Sequence, residues 1–566
     1  QSMQARSKRR RPPSTDNDGD QRETRGGGTA LALGSNGGGD VLPQPFFTRG
    51  DGTFVADAAL HREARRKAAN ALAAKLRTNG NIVPEGLIVL RGGVSRNRDD
   101  TDHEELFRQE SYFHYLFGVK EPDWWGMVEV PSGRSTLFIP RLPAEYAVWM
   151  GHIASAESLR SRYCVDAVHF TDELGAEIKS ALGRCAKTAK VHVMKGVNSD
   201  SGTDLSAVLG VESNLPKDVP RDDATVYEVL AECRVIKSKS ELELMRYVSW
   251  VSSNAHVATM RQAAPGQKEY QMEATFLYHC YFSGGCRVAA YTSICACGPN
   301  SAVLHYGHAG APNDAAVRKG DMLLLDMGAE YHCYCSDITC SFPADGVFTP
   351  EQKLVFEAVA TAQRAVISAM GVGVSWSDMH VLMNRTILEE LKRGGVLVGD
   401  VDAMLVADLG ATFTPHGLGH LIGIDTHDVG GYLSHTPPRS GRPGLKSLRT
   451  ARVLAEGMVL TVEPGLYFID ALIEPALASD KTSGFFVPGA IDRFRGTGGV
   501  RLEDVVVVCA DGVDNYTLCP RTVDEVEHVM SGGAWPPARD DAPWLRRRWG
   551  TCKDGKMVDR ALGNAA

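Results

Sequence analysis

The chain has 566 residues, 43% of them hydrophobic and 23% charged, and a formal net charge of −8. That length exceeds one ordinary domain, and the composition is that of a folded globular protein. The mildly acidic balance argues against nucleic-acid or membrane-surface binding by the body, and no apolar run approaches the roughly 18 residues of a membrane span.

Residues 1–42 are polar, charged and glycine-rich, which predicts a disordered tail. Gln1, Ser2 and Met3 read as a cleavage scar followed by the true start, and the N-terminus lacks the apolar segment of a signal peptide. The basic run Lys8–Arg11 reads as solvated tail rather than nuclear address, because acidic residues come directly after it. Folded character begins near Phe46. Residues 58–77 carry apolar positions at helical spacing. The runs LIVL (87–90), GMVEV (126–130), TLFIP (136–140) and KVHVM (190–194) read as strands. Strands alternating with helices predict an α/β domain over residues 43–230.

The pattern changes near residue 231. Ser240 and Glu243 form a capping-box signature that opens a helix with Leu244, Val248, Val251 and Ala255 on one face. Further on, QKLVFEAVATAQRAVISAM and DMHVLMNRTILEELKRG read as helices. MLLLDMG, CYCSDITCSF, MVLTVEPGLYF and GGVRLEDVVVVC read as strands, so residues 231–530 predict an α+β domain. Residues 531–566 lack a core pattern and read as a loose tail. With no secretory signal, the 13 cysteines read as reduced, mostly buried thiols of a cytoplasmic protein. Cys295 and Cys297 stand one residue apart, which suits packing and no zinc knuckle.

The chemistry concentrates in 231–530. Asp326 and Asp337 flank a predicted hairpin with its turn near Gly328-Ala329-Glu330. His420 closes HGLGH, Glu463 stands in VLTVEPGLY, and Glu503 in GGVRLEDVVVV. A carboxylate in an apolar segment is normally paired or metal-bound. Four carboxylates and one imidazole neutralise two divalent cations, and water held between two such ions is a nucleophile at neutral pH. The donor set is four hard oxygens and one nitrogen, without thiolate. It favours manganese, ferrous iron, cobalt or zinc over copper. The glycines beside His416 and His420 allow a loop to approach the site closely. Pro464 ends a strand at Glu463. Arg501 stands two residues before Glu503, where a guanidinium offsets a buried carboxylate and orients it. The reaction class is hydrolysis of an amide or ester.

These motifs, in this order, resemble the pita-bread metallopeptidases, and most strongly their eukaryotic-type prolidase (Xaa-Pro dipeptidase) branch. The runs LFRQESYFHYLFGV, STLFIPRLPAEYAVWMG, SAVLHYGHAGAPND, PHGLGHLIGIDTHDVGGY, SLRTAR and RFRGTGGVRLEDVVVV carry the resemblance. It implies a creatinase-like α/β N-terminal domain and a pita-bread C-terminal catalytic domain. It implies that Asp326 binds one metal, that His420 and Glu463 bind the other, and that Asp337 and Glu503 bridge both. Two divalent ions are expected, manganese first, with cobalt, zinc and ferrous iron as alternatives. His416, His427 and Glu463 form the implied catalytic set. His305, His427, Arg449, Tyr291 and Arg501 form the implied substrate-binding set, with Arg449 on a dipeptide's C-terminal carboxylate. Glu463 would carry a proton to the leaving nitrogen, and Trp149 would reach a partner subunit. The expected activity is metal-dependent hydrolysis of Xaa-Pro dipeptides at the prolyl amide bond, in a homodimer serving peptide breakdown or proline salvage. Aminopeptidase P, acting on longer peptides, is the alternative, and a non-catalytic pita-bread binding protein the more distant one.

Overall fold

The computed structural model describes residues 46–77, 84–205, 211 and 214–563. The expected N-terminal tail and its basic run at Lys8–Arg11 lie outside them. Among the described residues, no helix is long and apolar enough to cross a membrane, and all thirteen cysteines are free thiols.

The first part of the chain builds a six-stranded mixed sheet in the order Ala167–Phe170, Ser135–Ile139, Trp125–Val130, Gly86–Arg91, Lys190–Val193, Arg221–Asp222. Gly86–Arg91 runs antiparallel to Trp125–Val130 and parallel to Lys190–Val193. Helix Ala59–Leu76 buries Leu60, Ala64, Ala68, Leu72 and its other apolar positions against this part of the protein. That stripe at i, i+4, i+8 is the one its sequence spacing predicts.

Helix Lys239–Gln262 opens the second part. Its capping box is Ser238 with Glu241, two residues ahead of the expected Ser240 and Glu243. The reason is local: Ser238 has an extended backbone and accepts from Glu241 N–H, while Ser240 already lies within the helix. Leu244, Val248, Val251 and Ala255 are buried as the periodicity predicts.

Small antiparallel sheets then bring strand ends together. Met322–Asp326 lies between Ile294–Cys297 and Thr339–Pro343, with Asp326 opposite Thr339. The connection from Asp326 to Asp337 is not the simple hairpin expected. Two further short strands, Ala329–Tyr331 and Tyr334–Cys335, pair with each other, and the chain reverses at His332 and Cys333, both at positive φ. Val459–Val462 pairs with Asp504–Cys509, Val462 opposite Asp504, and Gly465–Tyr467 pairs with Gly499–Arg501. Both ladders break between these pairs, so Glu463 and Glu503 leave the same end of one strand pair.

The C-terminal segment is a packed element, contrary to the loose tail expected. Gly550–Lys553 and Lys556–Asp559 form a hairpin, and Leu545 and Trp549 are buried. The side chain of Arg547 is inaccessible and sits 2.7 Å from Glu525, with its guanidinium over the rings of Trp535 and Trp549. Glu525 lies 22 residues before Arg547, a pairing that no local pattern encodes.

Candidate active site

Every expected site residue faces one cavity of about 550 Å³: Tyr291, His305, Asp326, Asp337, His416, His420, His427, Arg449, Glu463, Arg501 and Glu503. A larger groove of about 1760 Å³ contains none of them.

Strand geometry brings the carboxylates together. Asp326 ends its strand, and Asp337 lies two residues ahead of Thr339, Asp326's cross-strand partner. Glu463 and Glu503 come from the broken ladders. The HGLGH loop lies against Val459–Val462: His420 N–H donates to Thr461 Oγ1 at 3.0 Å, and Thr461 N–H to His420 O at 2.9 Å. A Cβ on Gly419 would meet Thr461 O at 2.0 Å, so the loop cannot approach without glycine. As a result His420 Nε2 stands 3.3 Å from Asp337 Oδ2 and 3.6 Å from Glu463 Oε1. Its Nδ1 faces Leu421 O at 3.1 Å, which makes Nδ1 the protonated nitrogen and leaves Nε2 a free lone pair.

This cluster fits divalent cations. Donor atoms of Asp337, His420 and Glu503 lie within 4.8 Å of one another, and Asp337 Oδ1 is buried without a hydrogen-bond partner. Burial and the neighbouring carboxylate Asp326 push Asp337 well above the ordinary carboxylate range. Burial, then Asp337 and Asp326, push up Glu503; burial and then Glu503 push up Glu463. Like charges so crowded and desolvated require a counter-charge. Burial lowers His420 to about 4, keeping it neutral and able to ligate.

Around the cluster runs a hydrogen-bond frame. Tyr291 donates to Asp326 Oδ1 at 2.6 Å. Arg501, expected beside Glu503, instead places Nη2 2.5 Å from Asp326 Oδ2. Its Nε donates to Thr339 Oγ1 at 3.1 Å and its Nη1 to the Tyr467 hydroxyl at 2.8 Å. Thr339 in turn donates to Glu503 Oε2 at 2.7 Å. Arg501 therefore reaches Glu503 through Thr339, and its guanidinium is engaged by the protein rather than turned to a ligand. His416 Nε2 lies 2.9 Å from the same Tyr467 hydroxyl. Burial and then the Arg501 charge lower His416 to about 3.

Three groups face the open side of the cavity. His305 and His427 are exposed, and the His427 ring crosses that of His420 at 4.5 Å. Arg449 is part-exposed, with Nη1 3.5 Å from Asp200 Oδ2. Sequence reasoning missed Thr339, Thr461, Tyr467 and Asp200. Thr339 had a legible signal, since it follows Asp337 at strand spacing and so shares its face; Asp200 had none.

A two-part chain of this architecture, with a carboxylate-rich cluster on the second part that fits divalent cations, defines a metal-dependent peptidase class. Residues 61–192 match the aminopeptidase P N-terminal domain, and residues 243–510 match metallopeptidase family M24. An Xaa-Pro dipeptidase from Homo sapiens is 48% identical over 493 residues, covering 86% of this chain and 96% of that one. The Xaa-Pro dipeptidase of Mus musculus is 47% identical over 489 residues, covering 86% and 97%. The solved aminopeptidase PepP of Pseudomonas aeruginosa superposes with a TM-score of 0.66 at 30% identity, covering 83% of this chain and 98% of that one. The chain belongs to metallopeptidase family M24.

Proposed function

We propose that the protein is an Xaa-Pro dipeptidase, hydrolysing the prolyl amide bond of dipeptides. The observation that carries this reading is a cavity with a metal-fitting carboxylate cluster on one wall and Arg449 on its open side. The relatives from Homo sapiens and Mus musculus named Xaa-Pro dipeptidase support it. In this reading residues 43–230 and 231–530 are the two domains, and Asp326, Asp337, His420, Glu463 and Glu503 hold two cations, manganese first. The ions would supply Lewis acidity and lower the pKa of water at the site.

The chain's own residues do the rest. Arg449 pairs with the substrate's C-terminal carboxylate through its planar fork, exchanging Asp200 for it. His427 hydrogen-bonds the carbonyl oxygen as charge develops there. Glu463 takes a proton from the attacking water and passes it to the leaving prolyl nitrogen. His305 and Tyr291 border the substrate, and His416 stands 3.8 Å from Glu463 with its Nδ1 held by Gly417 O. A prolyl amide has no N–H, so recognition rests on enclosing the ring rather than on a donor. The ridge Val148, Trp149 and Met150 is highly exposed and apolar, which supports a homodimer that covers it.

The structural likeness to aminopeptidase P favours the alternative of N-terminal residue removal from longer peptides. Hydrolysis of Ala-Pro and Gly-Pro against Ala-Pro-Ala, in Mn²⁺ and in chelator, separates the two. Cleavage of dipeptides alone, lost in chelator, is the expected result; preferential cleavage of the tripeptide would move the activity to the aminopeptidase.

A further inference from the structure

Three histidines meet away from the carboxylate cluster. His61 lies on helix Ala59–Leu76, His114 on helix Ser111–Phe117, and His332 at the reversal between Ala329–Tyr331 and Tyr334–Cys335. One ring nitrogen from each lies within 4.8 Å of the other two. The Nε2 atoms of His61 and His332 are 3.1 Å apart. His61 Nδ1 is 3.1 Å from Tyr115 O. A carbonyl only accepts, so Nδ1 carries the proton and Nε2 points a lone pair at His332. A backbone carbonyl behind the ring is the usual anchor of a metal-binding histidine.

Two further observations call for a ligand. His114 Nε2 is buried and has no hydrogen-bond partner, in a residue only 1% exposed. The space beside His61 is also reserved: Gly118 has φ +62°, and a Cβ there would come 2.2 Å from His61 Nε2. Phe47 stacks on His332 at 4.2 Å between ring centroids and holds its plane. Burial keeps all three imidazoles neutral, His61 at about 4 and the other two also well down, with the charges of Arg49, Lys120 and Arg108 adding to the effect. Each neutral imidazole keeps one lone pair, and a metal among the three would replace the contact between His61 Nε2 and His332 Nε2.

We propose that His61, His114 and His332 form a second metal site, which takes zinc or a similar borderline divalent ion. Three imidazoles without a carboxylate suit zinc, copper or nickel, whereas the oxygen-rich cluster of the active site suits manganese. The two donor sets would sort two kinds of metal within one chain. His114 and His332 line the groove of about 1760 Å³, which offers an entry path. A bound ion would tie two N-terminal helices to the reversal of the segment that joins Asp326 to Asp337.

The test is zinc content per chain, measured by elemental analysis of the full-length protein after loading and gel filtration. His332→Asn and His61→Asn are compared with the unaltered protein. Asparagine tolerates the left-handed backbone at 332, and at 61 its amide keeps a donor for Tyr115 O. Each variant is expected to carry one zinc fewer per chain, with dipeptide hydrolysis in Mn²⁺ alone unchanged. Equal zinc in all three proteins overturns the site. Failure of the carboxylate cluster to hold metal would instead lower all three equally. Cobalt titration of the unaltered protein supplies a reading independent of variant folding. Intense visible bands of a tetrahedral nitrogen site are expected, and their absence also overturns the proposal.

Discussion

Arg501 Nη2 lies 2.5 Å from Asp326 Oδ2, so a cation of the protein's own grips the carboxylate that the sequence marks as a metal ligand. The same guanidinium holds Thr339 and Tyr467, and thus indirectly orients Glu503 and His416. Lysine offers a point charge without the planar fork. Arg501→Lys should therefore loosen metal binding and turnover together, by about 10–100-fold, the usual cost of losing a partner behind a metal ligand. Metal titration followed by calorimetry checks this; an unchanged affinity would make Arg501 a structural counter-ion only.

Asp326→Asn replaces a hard anionic donor by a neutral amide. It also leaves Arg501 without its closest anionic partner. Metal-dependent hydrolysis should fall to background, while the circular dichroism spectrum stays native. Full activity in excess Mn²⁺ would remove Asp326 from the metal cluster.

Arg449 makes only a long, part-exposed pair with Asp200, Nη1 to Oδ2 at 3.5 Å, which a substrate carboxylate can exchange. Truncation to alanine should cost a charge-assisted hydrogen bond to substrate, about 1.5–3 kcal/mol, or roughly 10–150-fold in kcat/KM. A C-terminally amidated substrate should lose far less. Equal losses on both substrates would assign Arg449 to the fold alone.

The crowded carboxylates make the metal-free protein sensitive to pH. Asp337, Glu463 and Glu503 are all pushed above their ordinary values. A carboxyl with a raised folded pKa stabilises at low pH and loses that contribution as pH rises through the raised value. His420 shifts the opposite way, from 6.5 to about 4, so its contribution is complete above pH 6.5. Above that point the chelator-treated protein should show a Tm that falls with rising pH. Added Mn²⁺ should raise the Tm by an amount that grows with pH. A Tm gain independent of pH would mean that the carboxylates do not repel one another as described.

Much of this site was legible because its chemistry is written in residue types that apolar segments otherwise exclude. Asp326, Glu463 and Glu503 stand out against strands of leucine and valine, and all three converge. Periodicity likewise exposed the buried face of helix Lys239–Gln262. Other features depend on contacts that no local pattern encodes. Arg501 turns to Asp326, 175 residues away, although Glu503 is its near neighbour. The path from Asp326 to Asp337 reverses at His332 and Cys333, two non-glycine residues at positive φ. Turn chemistry favoured Gly328 instead, because glycine is the usual occupant of such a backbone.

The C-terminal segment is where local reading failed most clearly, and Arg547 explains why. Its inaccessible side chain bridges Glu525 and Asp540 and lies over Trp549 at 4.7 Å. The arginine thus ties helix Val523–Met530 to the chain that precedes the terminal hairpin. Removing one member of a buried ion pair leaves the others uncompensated and typically costs about 3–5 kcal/mol. Arg547→Ala should lower the denaturant midpoint by an amount of that order, whereas the neighbouring Arg546→Ala should change it little. Arg546 mainly meets a carbonyl near the surface. The cavity residues lie elsewhere in the chain, so specific activity of the folded Arg547 variant should persist below its lowered melting temperature. Equal midpoints for the two variants would mean that the terminal segment adds nothing to stability, and that its burial is incidental.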